Sequence, residues 1–230
     1  MTFDWTEEPG PWNEWRLFDV WRSQYDSMSL QDQTDFHREF YKRWTVVHQH
    51  GDDQPVDAFF NMAFHAIPSR VLEIGGWDGA AAARVLPRHA NLLEWRNVEF
   101  TVEAVENPVC YDERYVAEVP AVWPWDTEYP GYNVLFMQHV VEHMKFDQYK
   151  ALLAAVPDAD WVFLQSPLDM EPRSWKGYPG CHILEVGWNQ IDEFMAESGF
   201  ELVHSWWDTQ NSTAPENGRT RVYRRIDSAV

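Results

Sequence analysis

The sequence predicts an α/β domain, a mostly parallel sheet with helices on both faces, preceded by a helical segment. Three observations predict it. After residue 69, short apolar runs alternate with helix-period segments, which implies right-handed crossovers between parallel strands. One such run, Val71–Ile74, opens into a glycine-rich turn and then an alanine-rich stretch. Before residue 69, large apolar side chains recur at three- and four-residue steps, the spacing of a helix face.

Taken in order, residues 1–68 read as helical. Trp12, Trp15, Phe18 and Trp21 recur at three-residue steps, and Phe36, Phe40, Trp44 and Val47 at about four. Phe59, Phe60, Ala63, Phe64 and Ile67 form a further stripe that Pro68 stops. These stripes read first as core-facing helix and, in a sharper reading, as a cap over an active site. Val71–Ile74 is expected as a strand and Gly79–Leu86 as a helix with Asp78 at its N-cap. Phe100–Val105 is expected as the second strand. Val134–Met137 is a further strand, with a helix starting near His139. Phe146–Val156 reads as a helix, Trp161–Gln165 as a strand, and Ile191–Ser198 as a helix closed by Gly199. Phe200–Trp206 and Arg219–Ile226 flank a loop, Thr209–Gly218, and are expected to pair antiparallel at an edge.

Composition removes several function classes. Eighteen basic against 37 acidic residues give a formal charge of −19. That balance opposes duplex nucleic acid and anionic membranes as partners. The one basic cluster, Arg219, Arg221, Arg224 and Arg225, reads as a strand edge. Such acidity also suits solubility in high salt. Cys110 and Cys181 form neither a metal-type pair nor a disulfide framework, so a reducing cytoplasm is expected. No apolar run reaches membrane-spanning length, and Asp4, Glu7, Glu8 and Glu14 replace the basic start of a signal peptide. The 14 Trp residues suit a core and a pocket for flat ligands.

The stretch Val71-Leu72-Glu73-Ile74-Gly75-Gly76-Trp77-Asp78-Gly79 carries the most information. Glycines let the chain turn sharply and let a ligand approach the main chain. A dinucleotide fingerprint would need glycine at Trp77 and Ala80, and no Gly-Lys-Ser/Thr follows for a phosphate loop. Glu73 followed by Gly75-x-x-x-Gly79 instead resembles the first motif of the class I S-adenosylmethionine-dependent methyltransferases. Trp77 departs from that family's middle glycine.

The resemblance covers about residues 60–226. It implies a Rossmann-like, seven-stranded sheet with an antiparallel last strand, spanning residues 69–230 behind an N-terminal helical extension or cap, 1–68. It implies S-adenosylmethionine as cofactor and methyl transfer to a small-molecule acceptor through oxygen or nitrogen. It assigns Glu73, Gly75, Gly76, Trp77, Asp78 and Gly79 to the cofactor. The family's second-strand acid, which takes the ribose hydroxyls, falls on Glu106 with Asn107 beside it, and Glu103 is the fallback. Asn133–His143 resembles the fourth strand and its "His-apolar-apolar-Glu-His" continuation, which brings Gln138 and His139 to the cofactor. Cys181-His182-Ile183-Leu184-Glu185 resembles the region before the last helix.

Several residues carry two readings. His139-Val140-Val141-Glu142-His143 also spells H-x-x-E-H, in which two histidines on one helix face hold zinc and Glu142 acts as base. The plainer reading packs His139 on the cofactor pocket, leaves Glu142 exposed or capping, and lets His143 bond a loop. His143 and His182 are candidate catalytic bases for a hydroxyl acceptor. Against that, transfer from an activated sulfonium can proceed on orientation alone. Asp126, in Trp123-Pro124-Trp125-Asp126, is either an adenine contact or part of a surface turn. Trp175, Tyr178, Pro179 and Trp188 either build an acceptor pocket or pack loops. Trp77 also motivates a different class, a methyltransferase-like binding module without catalysis.

Overall fold

The computed structural model describes residues 27–35, 38, 53–63, 68–100, 102–122, 127–166, 186–207 and 219–226. Asp126, Trp175, Tyr178, Pro179 and Cys181–Glu185 with His182 lie outside the described residues, as do the stripe before residue 27, the stripe Phe36, Phe40, Trp44 and Val47, and Phe64 and Ile67. Among the described residues no helix is long and apolar enough to cross a membrane.

The elements run α1 (Asp53–Ala63), β1 (Ser69–Ile74), α2 (Ala80–Val85), a 3-10 turn (Leu86–Arg88), β2 (Leu92–Val98) and α3 (Val102–Glu106). Then come β3 (Tyr115–Glu118), β4 (Val134–Gln138), a 3-10 turn (Val141–His143), α4 (Phe146–Ala155), β5 (Trp161–Ser166), α5 (Trp188–Glu197), β6 (Phe200–Trp207) and β7 (Arg219–Arg225). Residues 30–35 are helical as well. The seven strands form one sheet in the order β3-β2-β1-β4-β5-β7-β6. β1 pairs parallel with β2 and β4, and β4 with β5. β7 runs antiparallel to both β5 and β6, so β7 is interior and β6 takes the edge. The order reverses beside β1, and in such open sheets ligands bind outside the carboxyl ends of the strands at that switch point.

The second strand differs from the expectation. Phe100–Val105 is not a strand: Val102–Glu106 is helical, and β2 is Leu92–Val98. Its alternation was hidden by Glu94, Arg96 and Asn97, whose polar groups are occupied within the sheet. Arg96 lies 3.4 Å from Glu94 and 3.5 Å from Glu118, and Tyr132 donates to Glu94. Pairing on both sides, to β1 and β3, settles the register that β-branched composition alone does not. β3 had no place among the expected strands; three half-buried residues and the exposed Val116 at an edge give almost no periodic signal. The helix expected from His139 is a single 3-10 turn beginning at Val141.

Two apolar layers hold the sheet. On one face Leu72, Ile74, Leu135, Met137 and Leu164 meet Tyr149 and Leu152 of α4 and Trp188, Ile191 and Met195 of α5. On the other, Phe59 and Phe60 of α1 pack on the sheet. Phe60 lies 5.3 Å from Trp95 and 5.7 Å from Phe136, and Phe136 stacks on Phe163 at 4.6 Å. Such pairs contribute about 0.5–1.5 kcal/mol each beyond burial. Trp188 is 1% exposed and lies in the core under Arg221, so it lines no acceptor pocket. Three arginines of the basic cluster are internally used: Arg221 meets Asp192 and Ser205, Arg224 meets Glu201, and Arg225 donates to the carbonyls of Ala159 and Pro157.

Candidate active site

The glycine turn leaves β1 at its carboxyl end and is built on positive-φ residues: Gly75 at 69°, Trp77 at 50° and Gly79 at 81°. A Cβ on Gly75 would lie 2.6 Å from Val140 Cγ2, on Gly76 2.2 Å from Glu73 Cδ, and on Gly79 2.6 Å from Tyr115 Cζ and Oη. All three glycines are therefore required by the side chains that support the turn. Gly79→Ala is expected to cost about 2–3 kcal/mol, combining left-handed strain with the Tyr115 collision. In urea unfolding, a Tyr115→Ala background should recover the collision part only. Trp77 adopts the left-handed region without the freedom of glycine, a strain of about 1–2 kcal/mol. Its main chain is held at both ends. Trp77 N–H donates to Glu99 Oε2 at 2.9 Å, and its carbonyl accepts from Asn97 Nδ2 at 2.9 Å.

Asn97 is fully buried and ties the turn to the sheet. Its Oδ1 accepts the Gly76 N–H at 2.9 Å, and its Nδ2 also reaches Tyr115 Oη at 3.0 Å. Glu73 is 2% exposed, packed between Gly76 and Trp95, and accepts Trp95 Nε1–H at 2.7 Å. Burial pushes its pKa up to about 8; the Trp95 hydrogen bond opposes the shift, and Glu99 and Asp78 add to it. Glu73 is thus a support beneath the turn. Asp78 accepts Ala80 N–H at 3.2 Å through Oδ1, one position outside Gly79, which holds the N-cap place of α2.

The acid at the end of β2 is Glu99, not Glu106. Glu99 is 5% exposed, and its two oxygens accept the N–H groups of Trp77 and Phe100, at 2.9 and 2.6 Å. Glu106 closes α3 and is exposed, with Asn107 exposed after it. Glu103 lies inside α3 and is no strand-end acid either. Sequence reasoning missed Glu99 and Asn97 because it placed the strand too late. Trp95, Asn97 and Glu99 stand at two-residue steps and are all buried, but two of the three are polar, so the period carried little apolar signal.

β4 and β5 supply the other wall. Gln138 Nε2 donates to Gln165 Oε1 at 2.9 Å, and Gln165 Nε2 to Thr220 Oγ1 at 3.1 Å, a row of side chains across three strands. His139 follows at φ 53°, with its N–H bonded to the Gln165 carbonyl at 2.7 Å. Glu142 is 3% exposed, neither exposed nor a cap. Its Oε2 accepts Ser166 Oγ–H at 2.7 Å, and its Oε1 lies 3.5 Å from His139 Nδ1 and 3.9 Å from His143 Nε2. His139 stands outside the 3-10 turn, so the two histidines do not share the helix face that the zinc reading requires. Of the expected site residues the structure gathers Glu73, Gly75, Gly76, Trp77, Asp78 and Gly79 at the carboxyl end of β1. It gathers Gln138, His139 and His143 at the carboxyl end of β4, with Val140 touching Gly75 between the two groups.

No family model and no curated protein sequence matches the chain. Solved structures do. Magnesium protoporphyrin IX methyltransferase (ChlM) from Synechocystis PCC 6803, with bound SAH, superposes at TM-score 0.57 and 13% identity, over 90% of this chain and 99% of that one. A chain from the complex of the Haloferax volcanii Trm112 methyltransferase activator gives 0.60 at 10% identity, over 88% and 100%. The [4+2]-cyclase SpnF gives 0.56 at 13% identity, over 75% and 81%. A cyclase among the matches shows that one scaffold carries different chemistries. The chain has the α/β fold of the class I S-adenosylmethionine-dependent methyltransferases.

Proposed function

We propose that the chain is an S-adenosylmethionine-dependent methyltransferase acting on a small-molecule acceptor. The observation that carries the reading is the acid-and-glycine turn at the carboxyl end of β1, clamped by Asn97 and facing the switch point of the sheet. The resemblance of the fold to a methyltransferase solved with SAH and to mitomycin 7-O-methyltransferase supports it. In this reading the main chain of Gly75–Gly79 holds the amino-acid end of the cofactor. Glu99 takes the ribose hydroxyls in place of Glu106, since a carboxylate accepts from two neighbouring hydroxyls. Gln138 and His139 border the reacting end, and Asp126 remains the proposed adenine contact. The cofactor, when bound, supplies a methyl group already activated on a sulfonium. What the chain contributes is orientation: rigid walls from two buried clusters hold the reacting partners in line. The acidic surplus supports an acceptor that is not polyanionic.

Titration calorimetry with S-adenosylhomocysteine tests the reading. The wild type should release heat and saturate. Gly79→Asp should not, because a side chain there meets Tyr115 and brings a second negative charge beside the turn. Absence of wild-type heat at millimolar ligand would end the proposal. Trp77 supports a second reading, a binding module without catalysis, as a bulky residue stands at φ 50° where the resemblance has glycine. Trp77→Gly should tighten S-adenosylhomocysteine binding if the indole hinders the cofactor. Weaker binding would show that the indole is part of the site, and equal binding that it lies clear of the cofactor.

A further inference from the structure

We propose that His139 is the proton acceptor for a hydroxyl on the methyl acceptor, and that Glu142 is the positioning residue that holds His139 in the tautomer this requires. The inference rests on the methyltransferase reading and narrows its substrate class to acceptors that must lose an O–H proton. Sequence reasoning favoured His143 and His182 for this role. The geometry favours His139 through three independent features.

The first is the orienting carboxylate. Glu142 is 4% exposed at its side chain, and its Oε2 is fixed by the fully buried Ser166 hydroxyl at the end of β5. Its Oε1 is 3.5 Å from His139 Nδ1, against 3.9 Å for His143 Nε2. A carboxylate beside one ring nitrogen draws the proton to that nitrogen and leaves the lone pair on the other. His139 then carries N–H at Nδ1 and an open lone pair at Nε2. A base oriented by a fixed carboxylate is the arrangement expected of an acid–base site, and such contacts are often long before substrate binds. The second feature is access. The His139 side chain is 24% exposed and that of His143 15%, so His139 is the more reachable of the two. The third is the backbone. His139 sits at φ 53°, anchored by its N–H to Gln165, and its neighbour Val140 packs on Gly75 of the cofactor turn. Strained residues of this kind collect at functional sites, and this one is joined to the first glycine through its neighbour Val140.

The step balances. The acceptor's O–H proton passes to His139 Nε2 while an oxygen lone pair forms the new bond to the methyl carbon. The carbon–sulfur bond breaks and its electron pair stays on sulfur, so the sulfonium of the methyl donor becomes a neutral thioether. His139 becomes imidazolium and returns the proton to solvent.

Two readouts test this on the full chain. Long-range proton–nitrogen correlation spectra with isotope-labelled histidine report tautomers directly, with the His139 signals identified by their loss in His139→Gln. At about pH 8, where free imidazole is neutral, His139 should be the Nδ1–H tautomer. Glu142→Gln should move it toward Nε2–H, and Ser166→Ala should move it less, in the same direction. A wild-type His139 in the Nε2–H form overturns the proposal whether or not the Glu142 variant folds. The second readout is methyl transfer from labelled S-adenosylmethionine to phenol and to para-nitrophenol at the same pH. Phenol, like the tyrosine side chain, is protonated there and needs a base, whereas the nitrophenol is already ionised. His139→Gln should lower transfer to phenol about 100-fold more than transfer to para-nitrophenol, the scale of one general base. Equal losses on the two, or no wild-type transfer to either while S-adenosylhomocysteine still binds, overturn the His139 assignment alone. No wild-type binding of S-adenosylhomocysteine overturns the methyltransferase reading together with it.

Discussion

Asn97→Leu should lower the unfolding free energy on the order of 4 kcal/mol and abolish S-adenosylhomocysteine binding in the variant that remains folded. The side chain is fully buried and joins three groups: Gly76 N–H, the Trp77 carbonyl and Tyr115 Oη. Leucine fills a similar volume but satisfies none of them, and each buried polar group left without its partner costs about 1–3 kcal/mol. These groups belong to one network, so the total falls below their sum. Trp77 suffers most, because its left-handed conformation persists only while its main chain is pinned. Tyr115→Phe deletes one hydrogen bond and should cost only about 1 kcal/mol. Urea midpoints measured with unchanged m-values would separate the two variants. Similar small losses for both would mean that Asn97 is not the clamp.

Glu73→Gln should stabilise the protein at alkaline pH and change little near pH 5. Burial raises the folded-state pKa of Glu73 to about 8 from its ordinary 4.5. Between those values the unfolded chain has lost this proton and the folded chain keeps it. Stability therefore falls as pH rises, by about 1.4 kcal/mol per pH unit, and levels off above about pH 8. Glutamine keeps an acceptor for Trp95 Nε1–H and has no proton to lose. The variant's advantage over wild type should grow by about 3–4 kcal/mol between roughly pH 5 and pH 8. Because Glu73 lies beneath the turn, S-adenosylhomocysteine affinity at about pH 6, well below that raised pKa, should stay within a few-fold of wild type. A stability difference that is flat with pH would contradict this account of Glu73. A large loss of affinity would instead make it a direct ligand contact.

How far the sequence could be read depends on where each residue's partners lie. The glycine turn was legible because its constraint is local: apolar strand, positive-φ residues and helix start follow one another within nine residues. β4 and β5 were legible because Val134–Met137 and Trp161–Leu164 are apolar throughout, as sheet interiors covered on both faces must be, and β6 and β7 because a loop rich in Asn, Ser, Pro and Gly separates them. β2 was not, because Glu94, Arg96 and Asn97 find their partners across strands, in Glu118, Tyr132 and the turn. A strand whose polar groups are paired by tertiary contacts reads as a loop from its own residues. The same error displaced the acid at the end of β2 from Glu99 to Glu106. Glu142 was misread for a related reason. Its burial depends on Ser166, 24 residues further on, and nothing within His139–His143 announces it.

The structure of the complex with S-adenosylhomocysteine tests the central claim most directly. The ligand should lie at the carboxyl ends of β1 and β2, its amino-acid end on the main chain of Gly75–Gly79 and its ribose hydroxyls on Glu99. The sulfur should point toward His139. A ligand bound elsewhere, or one whose ribose is held by Glu106 with Glu99 untouched, would contradict it.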